Sequence, residues 1–219
     1  MDIHRIRYDM EKMIIEKPED IEKKSFEIIG MELAEKGIVI PEKEAPLIKR
    51  LIHTSADFDY AGSLYFSEGA WDKAISLLTS GADIVTDTNM TKAGINKTAA
   101  AGLGIEVHCF MADPDVAEES KRRSVTRAEV SMEKAAGIEK PVIFAIGNAP
   151  TALIKLREMY DAGIYRPAFI IGVPVGFVNV VYAKELIMDT DIPCIINRGR
   201  KGGSNIAAAA VNALMYSIR

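Results

Sequence analysis

Among the 219 residues, one histidine stands where a proton could be moved. His53 closes an apolar helical face, with Arg50 one turn before it and Asp57 one turn after. Imidazole titrates near neutrality, so a histidine there can give or take a proton at cellular pH. A histidine favoured by the carboxyl end of a helix explains the same position without any chemistry. His108 falls in the middle of a predicted strand and reads as structural, and His4 falls in the amino-terminal tail. The richest concentration of positive charge is Arg198-Gly199-Arg200-Lys201-Gly202-Gly203-Ser204, three cations followed by a glycine pair and the start of a helix. Glycine allows close backbone approach, and a helix amino end attracts anions through its unpaired N–H groups. The alternative is a solvated basic turn. Neither G-x-G-x-x-G nor the Walker lysine motif occurs, so a nucleotide ligand lacks its usual support. The three histidines are scattered and no Cys-x-x-Cys pair occurs, so no local metal signature is present.

The elements that must position these residues are legible from apolar patterning. Residues 18–80 read as helices: from Pro18 to Gly37, about Glu42 to His53, Asp57 to Ser67 and Ala70 to Ser80. From Gly81 onward the pattern alternates. Short β-branched apolar runs at Asp83–Thr86, Ile105–Phe110, Val142–Ile146, Phe169–Val173 and Cys194–Asn197 are separated by helical stretches near Thr91–Ala101, Asp115–Gly137, Ala149–Ala162, Phe177–Met188 and Asn205–Ser217. Such alternation predicts parallel pairing through right-handed crossovers, with both sheet faces covered. The expected fold is therefore α/β: a three-layer α/β/α arrangement with a five-stranded, mainly parallel, flavodoxin-like sheet. Residues 1–80 form a helical extension packed on an 81–219 core, in one domain over 1–219. Ligands of such sheets bind beyond the carboxyl ends of the strands. The segments there are Asp87-Thr88-Asn89-Met90, Met111-Ala112-Asp113-Pro114, Gly147-Asn148-Ala149-Pro150-Thr151, Pro174-Val175-Gly176-Phe177 and the Arg198–Ser204 loop. Turn chemistry and helix capping account for any one of them. All five on one edge point to a site.

Bulk properties bound the classes open to the chain. It is 48% hydrophobic and 26% charged, ample for a large core with an ordinary surface. A net charge of -4 argues against a nucleic-acid binder held by general electrostatics. It leaves an anionic small substrate open, because the local field decides that. Two cysteines, Cys109 and Cys194, both in apolar runs, suit a reducing cytoplasm rather than a disulfide framework. Met1 to Lys17 lacks a signal-peptide core. Pro167 to Ala183 carries no charge, but Gly172, Pro174 and Gly176 interrupt it, so a strand, a turn and a helix explain it better than a membrane span.

Taken in order, several segments resemble the precorrin-8X methylmutase family, including its cobalt-precorrin-8 branch. They are Ser25-Phe26-Glu27-Ile28-Ile29, Arg50-Leu51-Ile52-His53, Asp87-Thr88-Asn89-Met90 with Gly94-Ile95, and Thr126-Arg127, followed by Ala145-Ile146-Gly147-Asn148-Ala149-Pro150-Thr151-Ala152-Leu153, Pro174-Val175-Gly176-Phe177-Val178 and the Arg198–Ser204 loop. Two features depart from the family pattern. Tyr182-Ala183-Lys184 stands where many members have Glu-Ser-Lys, and Ile14 stands for a tyrosine. The resemblance implies an isomerase of corrin biosynthesis that moves a methyl group between neighbouring ring carbons of (cobalt-)precorrin-8. His53 would be the general acid, no separate cofactor would be needed, and any cobalt would belong to the substrate. It implies a homodimer with shared active sites, Arg127 reaching the substrate across the interface. A large flat macrocycle with a rim of carboxylates needs an apolar cleft edged by cations and N–H donors. The substrate-binding residues expected on this basis are Ser25, Arg50, Asp87, Met90, Gly94, Arg127, Asn148, Ala149, Thr151, Gly176, Phe177, Arg198, Gly202, Gly203 and Ser204. A non-catalytic corrinoid carrier is the alternative, and no nucleic acid, membrane or protein-bound metal is expected.

Overall fold

Four of the strands offer no polar face, and this decides the architecture. In β2 (Asp83–Thr86), β4 (Val142–Ile146), β5 (Phe169–Gly172) and β6 (Cys194–Asn197), every residue is buried. A sheet of such strands must be covered on both sides. The computed structural model describes residues 18–218, and His4 and Ile14 lie outside them. The chain separates into two compact units, Met1–Val39 and Ile40–Arg219.

The first unit contains α1 (Pro18–Glu35). In the second, α2 (Ala45–Ser55), α3 (Tyr60–Ser63), β1 (Leu64–Phe66) and α4 (Ala70–Thr79) precede β2. Then come α5 (Asn89–Gly94), α6 (Lys97–Gly102), β3 (Val107–His108), α7 (Pro114–Arg123), α8 (Arg127–Ala135), β4, α9 (Pro150–Asp161), β5, α10 (Val180–Met188), β6 and α11 (Ser204–Tyr216).

The six strands are ordered β1-β6-β5-β4-β2-β3. The five parallel strands thus follow the doubly wound order 2-1-3-4-5, and the order reverses between β2 and β4. Ala128, Met132 and Ala135 of α8, Leu153 and Leu156 of α9, and Ala183 and Ile187 of α10 pack on one face with Val85, Phe144, Ile146, Ile170 and Ile196. Alternation along the strands sends Ile84, Ile143, Ala145 and Ile171 to the other face. There α11 packs on β4 and β5 and is flanked by α2, α4, α5 and α6.

Four expectations are corrected. The sheet has six strands, because β1 joins its edge antiparallel to β6, with Leu64 opposite Asn197 and Phe66 opposite Ile195. The helix expected over Asp57–Ser67 is therefore only the one turn of α3 before the chain extends, and residues 40–80 contribute a strand as well as helices. The helix expected over Asp115–Gly137 breaks at Ser124, which takes a left-handed φ of 55°. Thr126 then starts α8 with a capping box, its hydroxyl receiving Glu129 N–H while Glu129 receives Thr126 N–H. The stretch expected as one helix over Thr91–Ala101 is likewise two, α5 and α6, because Asn96 caps a new start. The uncharged stretch Pro167–Ala183 is β5, a turn and the start of α10, and among the described residues no helix is long and apolar enough to cross a membrane.

Candidate active site

The switch point between β2 and β4 is organised by one carboxylate. Asp87, just beyond β2, is fully buried. Its Oδ1 accepts from Gly147 N at 2.9 Å, and its Oδ2 accepts from Asn148 N at 2.7 Å and Ala149 N at 2.5 Å. Burial pushes this carboxyl up from its ordinary value, and the three amide donors pull against that. All three partners donate, so the arrangement is built for the ionised form. The Gly147-Asn148-Ala149 turn is thereby locked onto β2. The backbone N–H groups of Asn148 and Ala149, two of the expected substrate-binding residues, are committed to Asp87. Gly147 also has no room for a side chain: an added Cβ would lie 2.8 Å from both Gly203 O and Ser204 Cα.

The next two loops interlock. Gly203 N donates to Val173 O at 2.9 Å, and Gly176 N to Arg200 O at 3.1 Å. Gly202 has a φ of 153°, and an added Cβ would stand 2.0 Å from Val173 O, so only glycine fits this crossing. Ser204 Oγ meets Thr88 Oγ1 at 2.8 Å, joining the α11 start to the β2 loop. The five post-strand segments therefore include three that share hydrogen bonds at the carboxyl edge, those after β2, β5 and β6, with the β4 loop fastened through Asp87.

The cationic loop is held from beneath by Lys184, which is 1% exposed. Its ammonium donates to Gly199 O at 2.8 Å and to Lys201 O at 2.9 Å. Asn197 Nδ2 adds a bond to Lys201 O at 2.7 Å. Burial pushes the Lys184 ammonium down to about 8. Lys201 itself reaches the turn after α2, 2.6 Å from both Asp57 Oδ2 and Asp59 Oδ2. The Lys201 contact holds the Asp57 carboxyl below its ordinary value, and the two acids hold the Lys201 ammonium above its own. This contact brings the turn that follows His53 against the Arg198–Ser204 loop. His53 is exposed in the last turn of α2. Arg198 lies over the Tyr65 ring, 5.3 Å from its centroid, and Arg200 lies 5.3 Å from the Phe177 centroid.

The expected site residues thus divide by position. Met90, Asn148, Phe177 and Arg198 are exposed along the carboxyl edge, as are Val175 and Arg200, which were not among them. Thr151 Oγ1 is 3.0 Å from Thr126 Oγ1, which puts the exposed Arg127 next to the β4 loop. Ala149, Gly176, Gly202, Gly203 and Ser204 shape the loops. Gly94 sits where α5 crosses α11, an added Cβ meeting Ala208 Cβ at 2.8 Å. Arg50 turns its guanidinium over the Tyr216 ring, 4.9 Å away at the far end of α11 from Ser204. Ser25 lies on α1 and donates to Ile21 O at 2.8 Å. Sequence reading missed the Lys184 anchor and the Lys201 tie. Lys184 follows buried Ala183 in a helix whose other charged residue is Glu185, so the sequence offered little signal for the first.

Among the described residues, Asp83, Glu106 and His108 are grouped closely enough to share a cation, their ligand atoms within 4.8 Å of one another. They lie at the opposite, amino-terminal edge of β2 and β3. Lys140 already binds Asp83 Oδ1 at 3.0 Å, and His108 Nε2 stands 3.3 Å from Oδ2, so the carboxylate has partners without a metal.

This geometry has close relatives. The precorrin-8X methylmutase family model matches residues 20–217. A cobalt-precorrin-8 methylmutase of Priestia megaterium is 41% identical over 203 residues, 93% of this chain and 89% of that protein. One from Salmonella typhimurium is 40% identical, covering 94% of this chain and 98% of that protein. A crystal structure of a precorrin-8X methylmutase from Thermus thermophilus superposes with a TM-score of 0.81 at 37% identity, covering 90% of this chain and 96% of that one. Sequence match and fold agree: the chain belongs to the precorrin-8X methylmutase family, and is a methylmutase, an isomerase.

Proposed function

We propose that the chain moves a methyl group between neighbouring ring carbons of precorrin-8 or its cobalt complex, giving hydrogenobyrinate or cobyrinate, with His53 as general acid. The observation that carries this reading is the composition of the carboxyl edge. Exposed apolar side chains, Met90, Val175 and Phe177, share the carboxyl edge with the exposed Arg198 and Arg200, and Arg200 lies 5.3 Å from the Phe177 ring. That pairing suits a flat macrocycle whose faces are apolar and whose rim is carboxylate, and arginine is the cation that binds carboxylates bidentately. The reaction is an isomerisation, so no atoms are gained or lost. A proton given by His53 to a ring nitrogen would bias the migration and return afterwards. Because the step is intramolecular, orientation does most of the remaining work. No cofactor is required by that chemistry, and cobalt, where present, enters as part of the substrate.

The proposed enzyme is a homodimer in which Arg127 of each subunit reaches the other's substrate. A cytoplasmic setting suits the two free cysteines. The test is incubation with precorrin-8 and with its cobalt form, followed by absorbance and mass. Conversion changes the spectrum and leaves the mass unchanged, whereas a carrier would bind without conversion. The His53→Ala variant is expected to bind the corrinoid and fail to convert it. Full turnover by that variant would sink the assignment of His53.

A further inference from the structure

We propose that Lys201 is a positioning residue, tying the turn after His53 to the loop that carries Arg198 and Arg200 so that acid and cations keep one spacing. The catalytic part of this inference rests on the reading of His53 given above. At one end, the Lys201 ammonium bridges Asp57 and Asp59, each at 2.6 Å. Those acids belong to a turn that is itself built. Ala56 closes α2 in the left-handed region and donates to Ile52 O, Asp57 N donates to Ser55 Oγ at 3.2 Å, and Asp59 N donates to Asp57 Oδ1 at 3.0 Å. At the other end, the Lys201 carbonyl is gripped by buried Lys184 and buried Asn197. The Arg198 backbone completes the link, its N–H donating to Ser63 O at 2.9 Å. The tie thus joins a surface turn, held by its own hydrogen bonds, to a loop anchored on buried Lys184 and Asn197.

Two consequences follow for the cationic loop. Its three positive charges are not equivalent: the charge of Lys201 is spent on Asp57 and Asp59, leaving the two arginines to meet a substrate. Exposed ion pairs add little to folding stability, so what Lys201 supplies is place rather than stability. Misplacement of a catalytic group by about 1 Å can cost on the order of a hundredfold in rate.

The experiment compares Lys201→Met, Lys201→Arg and the wild type, first by hydrogen–deuterium exchange without ligand and then by turnover of precorrin-8 and its cobalt form. The Met variant is expected to exchange faster both at residues 56–60 and at 198–203, with its melting temperature nearly unchanged. Its kcat is expected to fall by about tenfold or more while KM moves far less, and the Arg variant, which can still bridge two carboxylates, to recover most of the loss. Unchanged exchange, or faster exchange confined to 198–203, would overturn the tie. Faster exchange at both segments with wild-type kcat would overturn the positioning role. If both segments respond but the wild type converts neither corrinoid, the tie stands and the functional reading fails instead.

Discussion

Asp87 illustrates how a residue can be found for one reason and matter for another. In the sequence it stands in a loop with Thr88 and Asn89, where an aspartate reads equally as a turn former or a ligand contact. In the fold it is buried and accepts three backbone N–H groups from the β4 loop. Nothing local announces this, because its partners lie 60 to 62 residues away. Asp87→Asn keeps the volume but turns an amide NH2 toward backbone donors. It is expected to cost about 3 kcal/mol in urea denaturation, since the charged acceptor is lost and buried N–H donors are left facing another donor, and to abolish conversion as the turn loosens. An Asn variant as stable and active as the wild type would remove Asp87 from the positioning machinery. His53 and Arg198 are easier to place from sequence, because each lies at the end of an element whose apolar pattern is plain.

The elements divide in the same way. The parallel strands β4, β5 and β6 are legible because each is a short apolar run between turn residues, whereas β3 is only Val107–His108 of the run expected over Ile105–Phe110. β1 is not: Leu64-Tyr65-Phe66 is too brief for any periodicity, and its partner β6 is far along the chain. The break between α7 and α8 carries no glycine or proline, and its one local mark is the Thr126-x-x-Glu129 capping pair. α10 hides its role differently. Its lysine looks like surface charge but is driven into the layer beneath the cationic loop. This gives a pH dependence with a definite sign. The Lys184 ammonium titrates near about 8 when folded and near its ordinary 10.5 when unfolded, so between those values the unfolded chain binds more protons. Wild-type stability should therefore rise with pH in that window. Relative to Lys184→Met, which lacks the group, the gain from pH 8 to pH 10 is expected to be about 2 kcal/mol, read from paired denaturation curves. A stability difference that stays flat with pH would contradict the buried-ammonium description.

At the scale of the whole molecule, the mainly parallel α/β sheet was legible from the alternation of strands and helices, and the likeness over residues 20–217 gives the family. The assembly is a matter for solution. If active sites are shared, mixing His53→Ala with Arg127→Ala should rescue activity, because a heterodimer holds one site with both residues intact. Random pairing of two subunits would return roughly a quarter of wild-type turnover. Rescue no greater than the sum of the separate variants would place Arg127 within its own subunit's site, or outside it. The pairing of β1 with β6 has a further consequence, for the order in which the molecule is made. Ser67 and Cys194 exchange hydrogen bonds across 127 residues, and the loops of the active edge hang on the strand at the later end of that span. A ribosome must therefore expose nearly the whole chain before the edge can close. Such distant pairings are slow to form, and until then the apolar strands wait without a partner. Newly made chains are therefore expected to aggregate most readily just before β6 and α11 emerge, which chains truncated ahead of Cys194 would test by their solubility.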